Sequence, residues 1–97
     1  MIRHVAVLRW NDTVTDADIV EIGQALDGLP AAIPEIAIYR HGRDLQLAPT
    51  NADYVIVADF DSVDDYLVYR DHPEHRRVIA ELITDRASAR VGVQFEF

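Results

Sequence analysis

The sequence predicts an α+β fold, a four-stranded antiparallel sheet carrying two helices in the order β-α-β-β-α-β. Three observations predict it. The segments "IRHVAVLRW", "IAIYRHGRDL", "DYVIVADF" and "ASARVGVQFEF" alternate or run apolar as strands do. The stretches after the first and third of them change to helical spacing, and each opens on a capping residue. Pro, Gly and Asn fall between the segments, where turns are needed. With 97 residues and no repeat, linker or low-complexity run, one domain over residues 1–97 is expected. The order of elements is the split-βαβ, ferredoxin-like plan.

The first strand puts Ile2, His4, Ala6, Leu8 and Trp10 on one face and Arg3, Val5, Val7 and Arg9 on the other. In "NDTVTDAD", Thr15 is the expected N-cap, with acids in the first turn where the helix dipole favours them. Ile19, Ile22, Leu26 and Leu29 then recur at helical spacing, and the helix should end around Gly28–Pro30. "PAAIPEI" reads as a Pro-punctuated connection. The second strand should break near Gly42, and "QLAPTNA" is loop. The third strand carries Tyr54, Ile56, Ala58 and Phe60 on one face and Val55, Val57 and Asp59 on the other. Ser62 caps a short helix, and Pro73 starts a second piece, since proline's missing N–H costs nothing at a helix start. His75, Val78, Ile79 and Leu82 line one side of that piece.

The strands carry a second message. The first and third are apolar on both faces, and Val91, Val93, Phe95 and Phe97 extend the pattern into the fourth. Two helices cover one face of such a sheet, and an open antiparallel face should be polar. An apolar one is a patch that monomers rarely tolerate. A second copy packed sheet to sheet removes it, so a homodimer with the sheets inside is expected.

Composition closes off several classes. The net charge of −8 repels a phosphate backbone, so nucleic acid is not an expected partner. No apolar run approaches the ~20 residues of a membrane helix, and the alternating N-terminus is unlike a signal peptide. There is no cysteine, hence no disulfide, thiol nucleophile or thiolate metal site. A cytoplasmic location fits. All nine non-histidine basic residues are arginine, which excludes lysine Schiff-base chemistry.

The chemistry concentrates in "YRDHPEHRRV", Tyr69 to Val78, which holds half of the four histidines. "HPEH" lacks the i, i+4 pair of a zinc helix, and "HGRD" lacks the glycines and lysine of a phosphate loop. No metal or cofactor is expected. His75 falls in a first helical turn, where dipole and burial both favour neutral imidazole, the form a general base needs. His4 is a polar ring in an apolar stripe and requires a partner. With the Ile2 face toward the helices, His4 and Tyr54 point toward His75, and Tyr69 lies near the same mouth. Convergent polar groups in an apolar cavity are the usual picture of a small-molecule site; a buried cluster that only fixes the fold is the competing reading. His72, before proline, is expected to be extended or capping. His41, beside Gly42 and between Arg40 and Arg43, reads as solvated or at a dimer edge, and Arg76 and Arg77 as a solvated helix face.

These segments, with Tyr69-x-x-His72-Pro73-x-His75 the most recognisable, resemble the stress-responsive A/B-barrel domain (Dabb) family over nearly the whole chain. The resemblance implies a dimeric α+β barrel. One plant branch of the family cyclises polyketides by aldol condensation without a cofactor. Its catalytic His and Tyr match His75 and Tyr69. Two pocket histidines match His4 and His72, and a third-strand pocket His falls at Tyr54 here. The resemblance thus implies a small-molecule cyclase or lyase with His75 as general base, Tyr69 beside it, and His4, Tyr54 and His72 lining the pocket. The alternative is a non-catalytic, stress-related barrel that binds a hydrophobic ligand or a partner.

Overall fold

The computed structural model describes residues 1–97. Strands β1 (Ile2–Trp10), β2 (Ile38–Arg43), β3 (Tyr54–Phe60) and β4 (Ala87–Glu96) form one antiparallel sheet in the order β2-β3-β1-β4. Helices α1 (Asp16–Asp27), α2 (Leu29–Ala32), α3 (Val63–Asp71) and α4 (Pro73–Val78) complete the ferredoxin-like plan. The core lies between the helices and one sheet face. There Leu8, Ile56, Ala58 and Phe60 meet Ile19, Ile22, Leu26, Val78 and Ile83 in one buried cluster.

Local chemistry sets the helix boundaries. Thr15 Oγ1 accepts from the Asp18 N–H at 3.1 Å, and Asp18 returns the bond to the Thr15 N–H at 3.0 Å. This capping box satisfies two donors that a helix start leaves free. Ser62 caps α3, and Pro73 opens α4. The Pro-punctuated connection holds one element the sequence did not announce: α2 is a single turn built around Pro30, and it buries Leu29 and presents Ile33 to the core. The expected break at Gly42 is absent. Gly42 pairs with Val55 and the ladder runs on to Arg43. A β-carbon there would meet nothing within 4 Å, because residue 42 faces the open side, and its φ is not positive. Glycine in this strand signals open space, not a turn.

After Val78 the helix widens into a π-turn, Ile79–Ile83, with the Thr84 N–H and Oγ1 both donating to the Ile79 carbonyl at 2.8 and 2.9 Å. The extra residue rotates the last turn, so Ile83 is fully buried while Leu82, expected on that face, is only half-buried. Such π-turns are frequent at functional sites. No helix is long and apolar enough to cross a membrane.

The other sheet face carries no helix. Its cross-strand rows read Val57–Val5–Val93 and Val55–Val7–Val91. Val91 is 60% exposed and Val93 55%. Arg40 ends the first of these rows on β2, and Arg9 lies beyond the second. In the Asp59–Arg3–Phe95 row the charges cancel: Arg3 grips the Asp59 carboxylate through two bonds of 2.7 and 2.8 Å. That grip holds the Asp59 carboxyl below the usual range.

Candidate active site

On the helix-facing side, the register lines up three rows across β2, β3, β1 and β4. They are Tyr39–Ala58–His4–Gln94, His41–Ile56–Ala6–Gly92 and Arg43–Tyr54–Leu8–Arg90. Above Ala6 and Gly92, two small neighbours, the sheet leaves a cavity of about 250 Å³. Leu8 and Ile56 flank this floor, and Tyr69, His75 and Ile79 roof it. Leu8 and Ile79 line the cavity without closing it.

His75 stacks on Tyr69, with ring centroids 4.1 Å apart. Its Nδ1 lies 3.0 Å from the Arg70 carbonyl oxygen. A carbonyl only accepts, so Nδ1 carries the proton and Nε2 keeps a bare lone pair. Burial, with the neighbouring His72 charge, lowers the His75 pKa against a smaller opposing pull from that carbonyl and Asp71. His4 is its complement. The Gln94 side-chain amide donates to His4 Nδ1 at 2.8 Å, so neutral His4 carries its proton on Nε2. Burial, and next the charge of His75, lowers the His4 pKa. One imidazole is thus set as an acceptor and the other as a donor.

The lowered values tie stability to pH. Above 6.5 both rings are neutral whether the chain is folded or unfolded. As pH falls below 6.5 the unfolded chain binds protons first, so stability falls until the lowered folded values are passed. The carboxylates of Asp18, Asp59 and Asp71, also held low, add their losses only below 3.8. The urea midpoint should therefore drop between about pH 7 and about pH 5, and drop less in a His4→Asn/His75→Asn double variant. Parallel curves for the two proteins would contradict the burial of these rings.

Tyr69 is buried, and its hydroxyl lies 3.1 Å from that of Tyr39. Desolvation pushes the Tyr69 hydroxyl up to about 12 and Tyr39 further in the same direction, so both stay phenols. Tyr39 was missed in the sequence. It reaches Tyr69 because small Ala58 separates it from His4 in their shared row. Only the β2–β3 register, set across the connection 44–53, brings it there.

Tyr54 shares the expected face but not the cavity. Opposite Leu8, it sits four residues along β1 from His4, about 13 Å at strand rise. Its hydroxyl pairs instead with His41 Nδ1 at 2.7 Å, and Asp27 accepts from His41 Nε2 at 2.6 Å. His41 is therefore not solvated: its side chain is 13% exposed and clamped between helix α1 and β3. His72 caps α4, its Nδ1 accepting from the Glu74 N–H at 3.1 Å, and stands outside the cavity. Arg77 bridges Glu74 and Glu81 as a solvated face should, whereas Arg76 has no acidic partner.

The stress responsive A/B barrel domain model matches residues 2–97. The chain belongs to the Dabb family. A dimeric ferredoxin-like protein of unknown function from Thermobifida fusca is 48% identical, with a TM-score of 0.92 over 99% of this chain and 90% of that one. A Dabb protein from Mesorhizobium loti is 16% identical, at TM-score 0.82 over 99% and 95% of the two chains. Hydroxynitrile lyase from Passiflora edulis is 19% identical, at TM-score 0.85 over 97% and 90%. No protein of curated function matches the chain in sequence.

The cavity of this Dabb protein can be closed without touching its polar residues. A β-carbon at Gly92 would come no nearer than 3.6 Å to the Gln94 amide, and the backbone φ is not positive. Gly92→Val should hold or raise the thermal midpoint, since valine suits a strand. It should also weaken any cavity ligand at least about tenfold by occupying the space over Ala6. Calorimetry reads both effects; unchanged ligand affinity would place the binding site elsewhere.

Proposed function

We propose that this protein is a cytoplasmic, single-domain homodimer joined through its open sheet faces, and a cofactor-independent enzyme of the cyclase or lyase type acting on a small carbonyl compound. The observation that carries the reading is the His75 hydrogen bond to the Arg70 carbonyl, which leaves Nε2 bare and uncharged inside a cavity. Such a nitrogen takes a proton from the carbon next to a carbonyl. The C–H bond breaks, its electrons move to the carbonyl oxygen, and the enolate needs a hydrogen-bond donor. With Tyr39 donating to Tyr69, the Tyr69 O–H is free for that oxygen, and His4 Nε2–H is a second donor. The enolate carbon then adds to another carbonyl, as in an aldol cyclisation, or recovers a proton. Hydroxynitrile lyase shares the fold, which is an analogy of fold and not of residues.

The test is deuterium uptake. Phenylacetone in D2O should exchange its α-hydrogens faster with the protein than without it, and His75→Asn should remove the difference. Binding without exchange would leave a non-catalytic barrel that holds a hydrophobic ligand.

A further inference from the structure

The cavity is apolar between two polar ends. His4, Tyr69 and His75 form one; Arg90, on the helix-facing side of β4 opposite Leu8, forms the other. Elsewhere Arg3, Arg43, Arg70, Arg77 and Arg86 each hold a carboxylate, and Arg9 holds the carbonyls of Thr50 and Asn51. Arg40, Arg76 and Arg90 have neither kind of partner, and of these three only Arg90 lines the cavity, in a chain with 17 acidic residues and a net charge of −8. A second hollow also touches His75, and there Arg76 is the cation without a carboxylate, Arg70 being held by Asp71.

We propose that the cavity's ligand bears a carboxylate, held by Arg90 while its carbonyl end lies toward His75 and Tyr69. This rests on the carbonyl reading above and adds the anionic group. An acidic protein repels anions at a distance, so an anionic ligand needs a local cation at its seat. One guanidinium fork matches one carboxylate through two parallel bonds. A phosphate dianion would want further donors, and nothing else at the Arg90 end supplies them. The rows of His4 and Arg90 are four residues apart on the strands, which separates carbonyl and carboxylate by several bonds. The volume of about 250 Å³ lies below the roughly 300–1,000 Å³ of drug-sized sites, so the ligand is no larger than one ring with a short chain.

The experiment compares 4-oxo-4-phenylbutanoate with its methyl ester, each titrated against the whole protein while the His4 and His75 imidazole resonances are followed by NMR. The acid should bind about tenfold tighter or better. Arg90→Gln should erase that preference and leave ester binding unchanged, whereas Arg76→Gln should keep it. Equal binding of acid and ester, with both histidines shifting, would overturn the carboxylate and leave the carbonyl cavity standing. A preference surviving in Arg90→Gln would overturn the assignment to Arg90. If neither compound moves His4 or His75, the cavity reading fails and this proposal with it.

Discussion

Val93→Glu should turn the proposed sheet-to-sheet dimer into a folded monomer. Val93 shares a cross-strand row with Val5 and Val57, in the middle of the face that no helix covers. In the isolated chain it is 55% exposed, so a glutamate there meets water and leaves the protomer's own core intact. In a sheet-to-sheet dimer the same carboxylate loses its water among Val5, Val91 and Phe95; the nearest cation of its own protomer, Arg3, is already held by Asp59, and Arg40 lies three strands away on β2. An uncompensated buried charge costs about 3–5 kcal/mol, and two-fold symmetry introduces the change twice. Association should therefore weaken until the protein is monomeric at the micromolar concentrations of sedimentation or light scattering. Val20 is the control: it is 56% exposed on α1, and Val20→Glu should leave the dimer unchanged. A dimeric Val93→Glu protein would mean that the subunits meet elsewhere.

Assembly and site are tied through β4. The strand presents Val91 and Val93 to the open face and Arg90 and Gly92 to the cavity. It is an edge strand, held within the protomer by β1 alone. In the proposed dimer, a partner packed on its valines would fix the wall that carries Arg90.

Most of the architecture was legible because its signals are local. Period-two strands, the caps at Thr15 and Ser62 and the proline at the start of α4 depend on neighbours a few residues away, and all are present. The site was legible where its residues share a row or a turn: His4 and His75 do line one cavity, with Tyr69 between them. What depended on register was not legible. Tyr54 and His4 share a face but lie two same-face positions apart, and Tyr39 came into place only through pairing across the β2–β3 connection. The same pairing put His41 between Asp27 and Tyr54, where its arginine neighbours in sequence had suggested solvent. The π-turn was hidden because one extra residue in a helix leaves no compositional trace.

His75→Asn should abolish α-proton exchange while leaving the fold intact. The asparagine amide stands where imidazole Nδ1 stands and can still donate to the Arg70 carbonyl, but no basic nitrogen reaches the cavity. Loss of a positioned general base lowers the rate about 10²- to 10⁴-fold. In the unmodified protein the pH profile should be one rising limb. His75 must be neutral to act and its pKa is lowered, so the midpoint of that limb should lie below 6.5. Tyr69, pushed up to about 12, should produce no falling limb through pH 10.0, the ordinary phenol value. The tyrosines separate chemistry from packing. Tyr69→Phe strands the half-buried Tyr39 hydroxyl and should cost about 1 kcal/mol of stability as well as rate. Adding Tyr39→Phe removes the stranded group, so stability should recover. Exchange should not recover, because the donor to the enolate is still missing. Joint recovery would assign the Tyr69 hydroxyl a purely structural role and leave the enolate to His4.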